Sequence, residues 1–255
     1  MKNSIYLEIP FIPKKTVTTM IIDGRAPAIV SNSLEKMGIH ILKAPCCEEL
    51  YPAISYHPDI LLHPVNERDI VIAPNVYNEL APVITQLGLH AIRGNTNLKS
   101  NYPHNIAYNV ARLSNFAIHC FKYTDPILLE LLQQQGVEFI DVKQGYSKCS
   151  ICIVNERAII TADHGIAKAV KKHGIETLLI SPGYISLTGL SYGFIGGASG
   201  LLGKDQIAFS GKLTHHPDYG RIINFLDEQQ MNPIFLSDDE AIDIGSMIPI
   251  LQMAA

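Results

Sequence analysis

Two cysteines of this 255-residue chain are spaced as in redox and zinc sites, in the segment Cys149-Ser-Ile-Cys152. The residues around them are typical of a β-strand, and residues an odd number apart on a strand point to opposite faces. The two thiols would then diverge, so we expect them to pack as small hydrophobic residues rather than to hold an ion. The spacing therefore predicts no metal site, and no segment of the chain predicts a cofactor.

A second set of reactive residues emerges when two copies of Val-Asn-Glu-Arg, Val65–Arg68 and Val154–Arg157, are aligned. Gly203-Lys204 takes the same place in a third segment, and alternation along each preceding strand separates an apolar face from a polar or small one. The polar face comprises Asp59, His63, Lys148, Ser150, Cys152, Gly196, Ala198 and Gly200. Cys149 falls on the apolar face, so Cys152 is predicted to be the more reactive thiol.

The charged members of the polar face have more than one interpretation. Asp59 and Lys148 are candidates for ligand contacts, but they would equally form a plain ion pair, because an isolated buried charge is too costly. His63 is a candidate base or, next to Pro64, a strand-end residue in water. The histidines beside other prolines are interpreted as ordinary surface residues: His57, His215 and His216.

The elements that would position these residues repeat five times. Each repeat contains an apolar strand, a capping residue, an amphipathic helix, a turn and another strand, at approximately residues 18–42, 58–92, 105–140, 148–180 and 193–236. The predicted helix caps are Asp23, Asn75, Asp125 and Asp163, and the predicted helix-ending glycines are Gly38, Gly88, Gly136 and Gly174. Gln230 stands in the place of the glycine in the last repeat.

The two ends of the chain are predicted to meet. A further strand candidate precedes four of the repeats, whereas the first has none and the apolar segment 241–251 is unassigned. If this segment pairs with Thr18–Ile22, every unit becomes strand–strand–helix–strand, and the ring exposes no sheet edge. We therefore predict a single α/β domain, residues 1–255, built as a five-bladed β/α-propeller with pseudo-five-fold repeats.

This order of units resembles the pentein fold of the guanidino-group-modifying enzymes. The stretches Tyr192-Gly-Phe-Ile-Gly-Gly-Ala-Ser-Gly200 and Gly145-Tyr-Ser-Lys-Cys-Ser-Ile-Cys152 also resemble an uncharacterised bacterial family of that fold. The superfamily includes arginine and agmatine deiminases, dimethylarginine hydrolases, amidinotransferases and a non-enzymatic ribosome anti-association factor. The resemblance implies a central site, but a fold does not by itself assign chemistry.

The resemblance places a cysteine nucleophile in the last strand region, and this chain has none there. The matching stretch is Asp243–Pro249, in which Ser246 has no base near it in sequence, so whether the protein is an enzyme stays open. The candidate catalytic residues are Cys152, Cys149 and His63, and the candidate ligand contacts are Asp59, Asn109, Lys148, Gly196, Gly197, Ser199, Asp243 and Ser246.

Three functions follow as hypotheses. The favoured one is binding of a small polar metabolite, similar to an amino acid or a guanidine, in the central channel. The second is a cysteine-dependent amidine or guanidine hydrolase or amidinotransferase. The third is a non-catalytic interaction module that resembles the anti-association factor.

Composition excludes several partners. Lys and Arg number 20 against 24 Asp and Glu and form no basic cluster, so nucleic acid is not a predicted partner. No apolar run approaches the ~20 residues that span a bilayer, and residues 1–15 lack the apolar core of a secretion signal. We expect a cytoplasmic protein with reduced cysteines, and its low charged fraction of 17% suits a homo-oligomer.

Overall fold

The computed structural model describes residues 4–254 and shows a mixed α/β chain with five small sheets in that range. The strands are β1 (Ser4–Tyr6), β2 (Val17–Asp23), β3 (His40–Ala44), β4 (Leu62–Pro64), β5 (Asp69–Ile72), β6 (His90–Arg93), β7 (Ala111–Leu113), β8 (Phe116–His119), β9 (Glu138–Asp141), β10 (Ile151–Ile153), β11 (Ala158–Thr161), β12 (Glu176–Leu179), β13 (Ser199–Gly203), β14 (Gln206–Phe209), β15 (Asn232–Phe235) and β16 (Ile248–Met253). The α-helices are α1 (Ala28–Lys36), α2 (Pro58–Leu61), α3 (Tyr77–Gln86), α4 (Pro126–Gln134), α5 (Ser147–Ser150), α6 (His164–Lys171) and α7 (Tyr219–Glu228).

Four of the sheets share one topology, which follows the predicted repeat. Their strand orders are β4-β5-β6, β7-β8-β9, β10-β11-β12 and β13-β14-β15. In each, the first pair of strands is antiparallel and the second pair is parallel, joined through a helix. A helical crossover is what a parallel pair requires, because its strands cannot be joined by a tight hairpin.

The fifth sheet joins the two ends of the described chain. Its order is β1-β16-β2-β3, and β16 runs antiparallel to β2 with Ile248 opposite Ile21. The predicted pairing of the terminal strands is therefore present, although β16 begins at Ile248 rather than near Ala241. β1 adds a strand that the repeat does not predict, on the outer side of β16.

The predicted helix boundaries are confirmed at some ends and wrong at others. Asp125 caps α4 by accepting from the N–H groups of Ile127 and Leu128, and Asp163 accepts from Ile166 N at the start of α6. Asp23 and Asn75 do not cap: α1 begins only at Ala28, after Pro27, and Asn75 lies in a 3₁₀ turn just ahead of α3, where its side chain bonds the backbone of Leu98. The four predicted glycines and Gln230 all have positive φ at helix ends.

The segments just ahead of the first strand of each sheet differ most from prediction. Asp59 lies in the helical turn α2, and Lys148 and Cys149 lie in α5, where extended strands are predicted. The first strands of three of these sheets, β4, β7 and β10, are each three residues long. Strand alternation therefore does not extend back to Cys149, and the face predicted for this residue is wrong.

Apolar side chains of all five sheets form one large buried cluster, and a smaller one lies between α1 and β2. Most residues of the middle strands β5, β8, β11 and β14 are buried, whereas the last strands β6, β9, β12 and β15 are partly exposed. Between residues 4 and 254, no helix has the length and apolar character needed to cross a membrane.

Candidate functional site

The segments that precede β4, β7, β10, β13 and β16 are joined to one another by hydrogen bonds. Each segment belongs to a different sheet, and the last one bonds back to the first. The links are Asn109 Nδ2 to Asp59 O at 3.0 Å, Lys148 N to Asn109 Oδ1 at 2.8 Å, Gly197 N to Cys149 O at 3.0 Å, Ser246 N to Gly197 O at 2.8 Å, and Asp59 N to Gly245 O at 3.2 Å. These contacts bring one polar or small segment of every sheet to a common place.

Asp59 lies at the centre of this place and is 1% exposed. Cys149 Sγ lies 3.2 and 3.3 Å from its two carboxylate oxygens, and Ser246 Oγ donates to Oδ2 at 2.6 Å. The pKa of Asp59 is raised, because the effect of burial exceeds the lowering by the charge of Lys148 and by these hydrogen bonds. Burial, followed by the charges of Asp59 and Asp243, raises the pKa of Cys149 well above its ordinary value, so Cys149 is a protonated thiol.

Lys148 supplies the matching positive charge through Ser246. Its Nζ donates to Ser246 Oγ at 2.9 Å, and Ser246 in turn donates to Asp59. Burial lowers the pKa of Lys148, and the Asp59 charge raises it. We call these three residues the acid–lysine chain. The hydroxyl of Ser246 thus stands between the two charges that were alternatively interpreted as a plain ion pair.

Ser246 has an unusual backbone for its residue type. Its φ is 72°, in the left-handed region that non-glycine residues seldom adopt. The neighbouring Gly245 has a φ of 64°, and a side chain there would collide with His57. The disfavoured backbone of Ser246 directs its hydroxyl between Asp59 and Lys148, in a chain position where the resemblance implies a cysteine.

A second group, which we call the cavity wall, consists of Asp23, His57 and Asp243. The two nitrogens of the His57 ring lie between the acids, with Nε2 3.8 Å from Asp23 Oδ2 and Nδ1 3.8 Å from Asp243 Oδ1. Burial, assisted by the charge of Arg25, lowers the pKa of His57 to about 3, so the ring is neutral. Burial and the charge of Asp59 raise the pKa of Asp243 to about 7.

The cavity wall faces a cavity of about 680 Å³. Arg25 and Tyr51 add polar groups to the lining, and the rest of it is mostly apolar: Pro27, Pro52, Ala53, Leu187, Thr188, Gly189, Ile242 and Ile244. The Arg25 side chain is 41% exposed, pairs with Asp23 at 3.3 Å and stacks over the ring of Tyr56. Pockets of this size and composition are typical of small-molecule sites.

The acid–lysine chain and the cavity wall are neighbours. One ligating atom from each of His57, Asp59 and Cys149 lies within 4.8 Å of the others. Imidazole, thiolate and carboxylate are a donor set that a zinc ion accepts. A zinc ion at these three atoms would have to displace the thiol proton of Cys149, and the side chain of Lys148 lies one hydroxyl away from Asp59.

Most of the predicted ligand contacts converge here. Asn109 links Asp59 to Lys148, Gly196 O accepts from Lys148 Nζ at 3.4 Å, and Ser199 lies at the edge with its Oγ donating to Gly196 O at 3.3 Å. Gly197 leaves room for the Asp243 carboxylate, which a side chain there would strike. These glycines therefore allow backbone to approach closely.

The predicted catalytic residues are placed differently. Cys152 lies in β10 opposite Ile160, fully buried, and burial raises its pKa to about 11. His63 lies in β4 against the ring of Phe11, with centroids 5.5 Å apart. The Cys149 thiol, predicted to pack in an apolar face, instead contacts Asp59 and Asn109.

Two residues of the cavity wall were given other roles by the sequence. His57 is 1% exposed, so its interpretation as a surface residue is wrong, as is that of His216, which is 4% exposed. Asp23 is interpreted as a helix cap, but its carboxylate accepts from Arg25 and lies near His57. Position in the chain is the signal that could have identified both residues, because Asp23 ends β2 and His57 precedes Asp59 by two residues.

Solved structures with the same architecture define the class of this protein. The inosamine-phosphate amidinotransferase StrB1 of Streptomyces griseus superposes with a TM-score of 0.59 at 11% identity, over 99% of this chain and 97% of that one. The agmatine deiminase of C. jejuni gives 0.58 at 9% identity, over 96% of each chain. DDAH from Pseudomonas aeruginosa gives 0.53 at 10% identity, over 87% and 93%. The chain therefore has the pentein fold.

The sequence profile of the Family of unknown function (DUF6873) matches residues 21–248. The protein belongs to this family. No curated protein matches the sequence at a significant level. Identities near 10% to the solved structures establish the shared fold and leave the activity to be argued from the site.

Proposed function

We propose that this protein binds a small cationic metabolite of the guanidine or amidine class in the cavity, with the cation against Asp243. The observation that carries the proposal is a charge count. Three buried carboxylates meet two cationic side chains: Asp23 pairs with Arg25, and Asp59 is linked to Lys148. Among residues 4–254, Asp243 is the acid of this group without a cation paired to it, and burial, followed by the charge of Asp59, raises its pKa to about 7.

A bound cation would supply the missing charge. An opposite charge close to a carboxyl group favours its ionised form, so the ligand would lower the pKa of Asp243 and gain a buried ion pair. His57 Nδ1 is buried without a hydrogen-bond partner beside Asp243, which leaves a second polar atom for the ligand. Arg25, at the more exposed side of the cavity, suits a carboxylate at the far end of an amino-acid-like ligand.

The proposal includes the arrangement of the five units as blades around one axis. Its support is the circuit of hydrogen bonds from Asp59 through Asn109, Cys149 and Gly197 to Gly245 and back. Solved proteins of this fold include an amidinotransferase, an agmatine deiminase and a DDAH complexed with citrulline. The activities for which these proteins are named support the proposed ligand class, because the proteins share the fold of this chain.

Calorimetry with agmatine and arginine tests the proposal. Because binding ionises Asp243, we expect the release of about one proton at pH 6 and almost none at pH 8.5. Asp243→Asn should abolish this pH-dependent proton release and weaken binding, whereas the matched change Asp238→Asn at an exposed carboxylate should alter neither. Absence of binding across a guanidine and amidine panel, or equal binding by Asp243→Asn, would refute the proposal.

A second candidate is a cysteine-dependent reaction on the same ligand class, favoured by the position of the Cys149 thiol within 4.8 Å of His57 and Asp59. A thiolate is the nucleophile, and the pKa of Cys149 is raised in the ligand-free site. A cation bound at Asp243 would lower this pKa, and the neutral His57 ring offers an acceptor for the thiol proton.

Labelling by 2-chloroacetamidine tests this candidate. We expect one cysteine to be modified at neutral pH, with protection by agmatine and with complete loss in Cys149→Ser. Cys152→Ser is the matched control and should label as the parent does. Labelling that persists in Cys149→Ser would assign the reaction to another thiol, such as the partly exposed Cys46, and would remove this candidate.

A further inference from the structure

A second pocket lies between the sheets β10-β11-β12 and β13-β14-β15. Its lining combines Ala162 and Ile180, which directly follow the parallel strands β11 and β12, with Phe194 and Ile195 from the segment ahead of β13. In open α/β sheets, ligands bind outside the carboxyl ends of parallel strands. No residue lines both this pocket and the cavity of about 680 Å³. The two are therefore distinct sites.

Aromatic rings form the more exposed side of this second pocket, which we call the aromatic pocket. Tyr184 and Tyr192 are 52% and 43% exposed, and Tyr192 packs edge-on against Phe194 with ring centroids 6.4 Å apart. Ile185 and Ile195 belong to the buried side. The volume is about 130 Å³, and an apolar cavity of roughly 150 Å³ holds benzene. The pocket therefore has the size and the walls for a single aromatic ring.

The buried side of the aromatic pocket contains one unsatisfied hydroxyl. Ser150 is the last residue of α5, is 3% exposed and lines the pocket. Its Oγ has no hydrogen-bond partner among residues 4–254, although a hydroxyl can both donate and accept. A buried polar group without a partner is unfavourable. A ligand that brings a polar atom to Ser150 therefore gains a hydrogen bond that the described chain does not make by itself.

The charges of the lining favour an uncharged ligand. Asp163 is the one carboxylate in the described lining, which contains no lysine or arginine. Its two oxygens accept from Ile166 N at 2.8 Å and Gln144 Nε2 at 3.2 Å, and the N-terminus of α6 stabilises its charge. Both ring nitrogens of His216 are hydrogen-bonded to backbone groups, and burial lowers the pKa of His216, so the ring is neutral. The pocket therefore presents no charge that a ligand has to match.

We propose that the aromatic pocket binds an uncharged molecule with one aromatic ring and one hydrogen-bonding substituent, of which phenol is the simplest. The substituent bonds to Ser150 Oγ, and the ring packs against Phe194 and Tyr192. Such a ligand satisfies the buried hydroxyl and fills the apolar space with a single group. This site needs no ligand in the cavity, so the proposal does not depend on the guanidine-binding function.

Fluorine NMR with a matched pair of probes tests the proposal. We expect 4-fluorophenol to bind about tenfold more tightly than 4-fluorotoluene, because only the phenol hydroxyl bonds to Ser150. Ser150→Ala should abolish this difference, whereas Ser31→Ala, at a buried serine of α1, should keep it. Ser150→Ala removes a hydroxyl without a protein partner, so the variant should fold. Equal binding of the two probes by the unaltered protein, or no binding of either, would overturn the proposal.

Two further measurements on the unaltered protein locate the probe. A crystal with 4-bromophenol, measured at the bromine absorption edge, should show an anomalous peak beside Phe194 and Tyr192, with the phenol oxygen at hydrogen-bond distance from Ser150 Oγ. Saturating agmatine should leave 4-fluorophenol bound, because the two sites share no lining residue. An anomalous peak in the cavity or at surface sites only, or displacement of the phenol by agmatine, would contradict the proposal.

Discussion

The acid–lysine chain and the cavity wall lie side by side, and they accommodate buried charge in different ways. In the acid–lysine chain, Asp59 and Lys148 are joined through one hydroxyl, and both charges are compensated within the protein. In the cavity wall, Asp243 has backbone donors but no cation, and one nitrogen of His57 has no partner. The first region is complete, and the second lacks a positive charge that a ligand can bring.

Removing Lys148 should have the largest effect on stability. Lys148→Met leaves Asp59 buried without its counter-charge, and such a break costs about 3–5 kcal/mol of unfolding free energy. The double variant Asp59→Asn with Lys148→Met should recover part of the loss, because neither charge is then buried. Urea unfolding measures both. The exposed Lys212→Met is the control, and a Lys148→Met variant as stable as this control would show that the chain carries no compensated pair.

The pH dependence of stability should separate the two members of the cavity wall. Asp243 holds its proton more tightly when folded, with a pKa of about 7, so its contribution to stability decreases as pH rises from 4 to 7. His57 has a folded pKa of about 3, so its contribution increases as pH rises from 3 to 6.5. The two slopes oppose each other in the unaltered protein.

Single variants should reveal these slopes in opposite directions. Relative to the unaltered protein, Asp243→Asn should gain stability with rising pH, by up to about 1.4 kcal/mol per pH unit between pH 4 and 6. His57→Phe should lose stability over the same range. Denaturant unfolding at a series of pH values measures this, and slopes of the same sign in both variants would show that one of the two pKa shifts has been assigned the wrong direction.

Two variants of Ser246 should distinguish the effect of backbone strain from the effect of losing the hydroxyl. Ser246→Ala removes the link between Asp59 and Lys148 and keeps a side chain at φ 72°, which we expect to cost about 2 kcal/mol. Ser246→Gly removes the same link but relieves the backbone, so it should be about 1 kcal/mol more stable than the alanine variant. A glycine variant less stable than the alanine variant would rule out strain at this position.

Replacing Arg25 should have the smallest effect on stability, but it should change the affinity for a cation measurably. The Arg25 side chain is 41% exposed, so solvent screens its pair with Asp23, and we expect a smaller loss of stability than in Lys148→Met although the Asp23 carboxylate itself is buried. Arg25→Met leaves a second carboxylate of the cavity wall without a cation, so the affinity for agmatine should rise rather than fall. Isothermal calorimetry of the variant checks this, with Arg157→Met as the matched control. Unchanged affinity would show that the ligand does not sense the charge of the cavity wall.

The repeat and the chain ends could be predicted because their signals are local. Residues such as Asp125, Asp163 and Gly136 act through their immediate neighbours, and the apolar segment near Leu251 is long enough to read as a strand. The single-domain organisation and the oligomeric state remain predictions. The equivalence of Asp59 and Lys148 followed from aligning the units, although the alternation used to orient them did not extend through α2 and α5, and Asn109 was a candidate without such an alignment.

The orientation of Cys149 and the burial of His57 could not be predicted, for a different reason. A helical turn of four residues shows no periodicity, so the sequence did not indicate that Cys149 faces Asp59. The burial of His57 depends on Gly245, almost 190 residues away, whose missing side chain leaves space for the imidazole. Contacts of that kind leave no trace in a short stretch of sequence.

The position of β16 has a consequence for synthesis. β2 leaves the ribosome well before its antiparallel neighbour β16, which is made of Ile248–Met253 at the other end of the described chain. The first sheet, and with it Ser246 beside Asp59, cannot be completed until translation has passed these residues. Until then β2 presents an unpaired edge, which exposes a nascent chain of this protein to pairing with a neighbouring polypeptide.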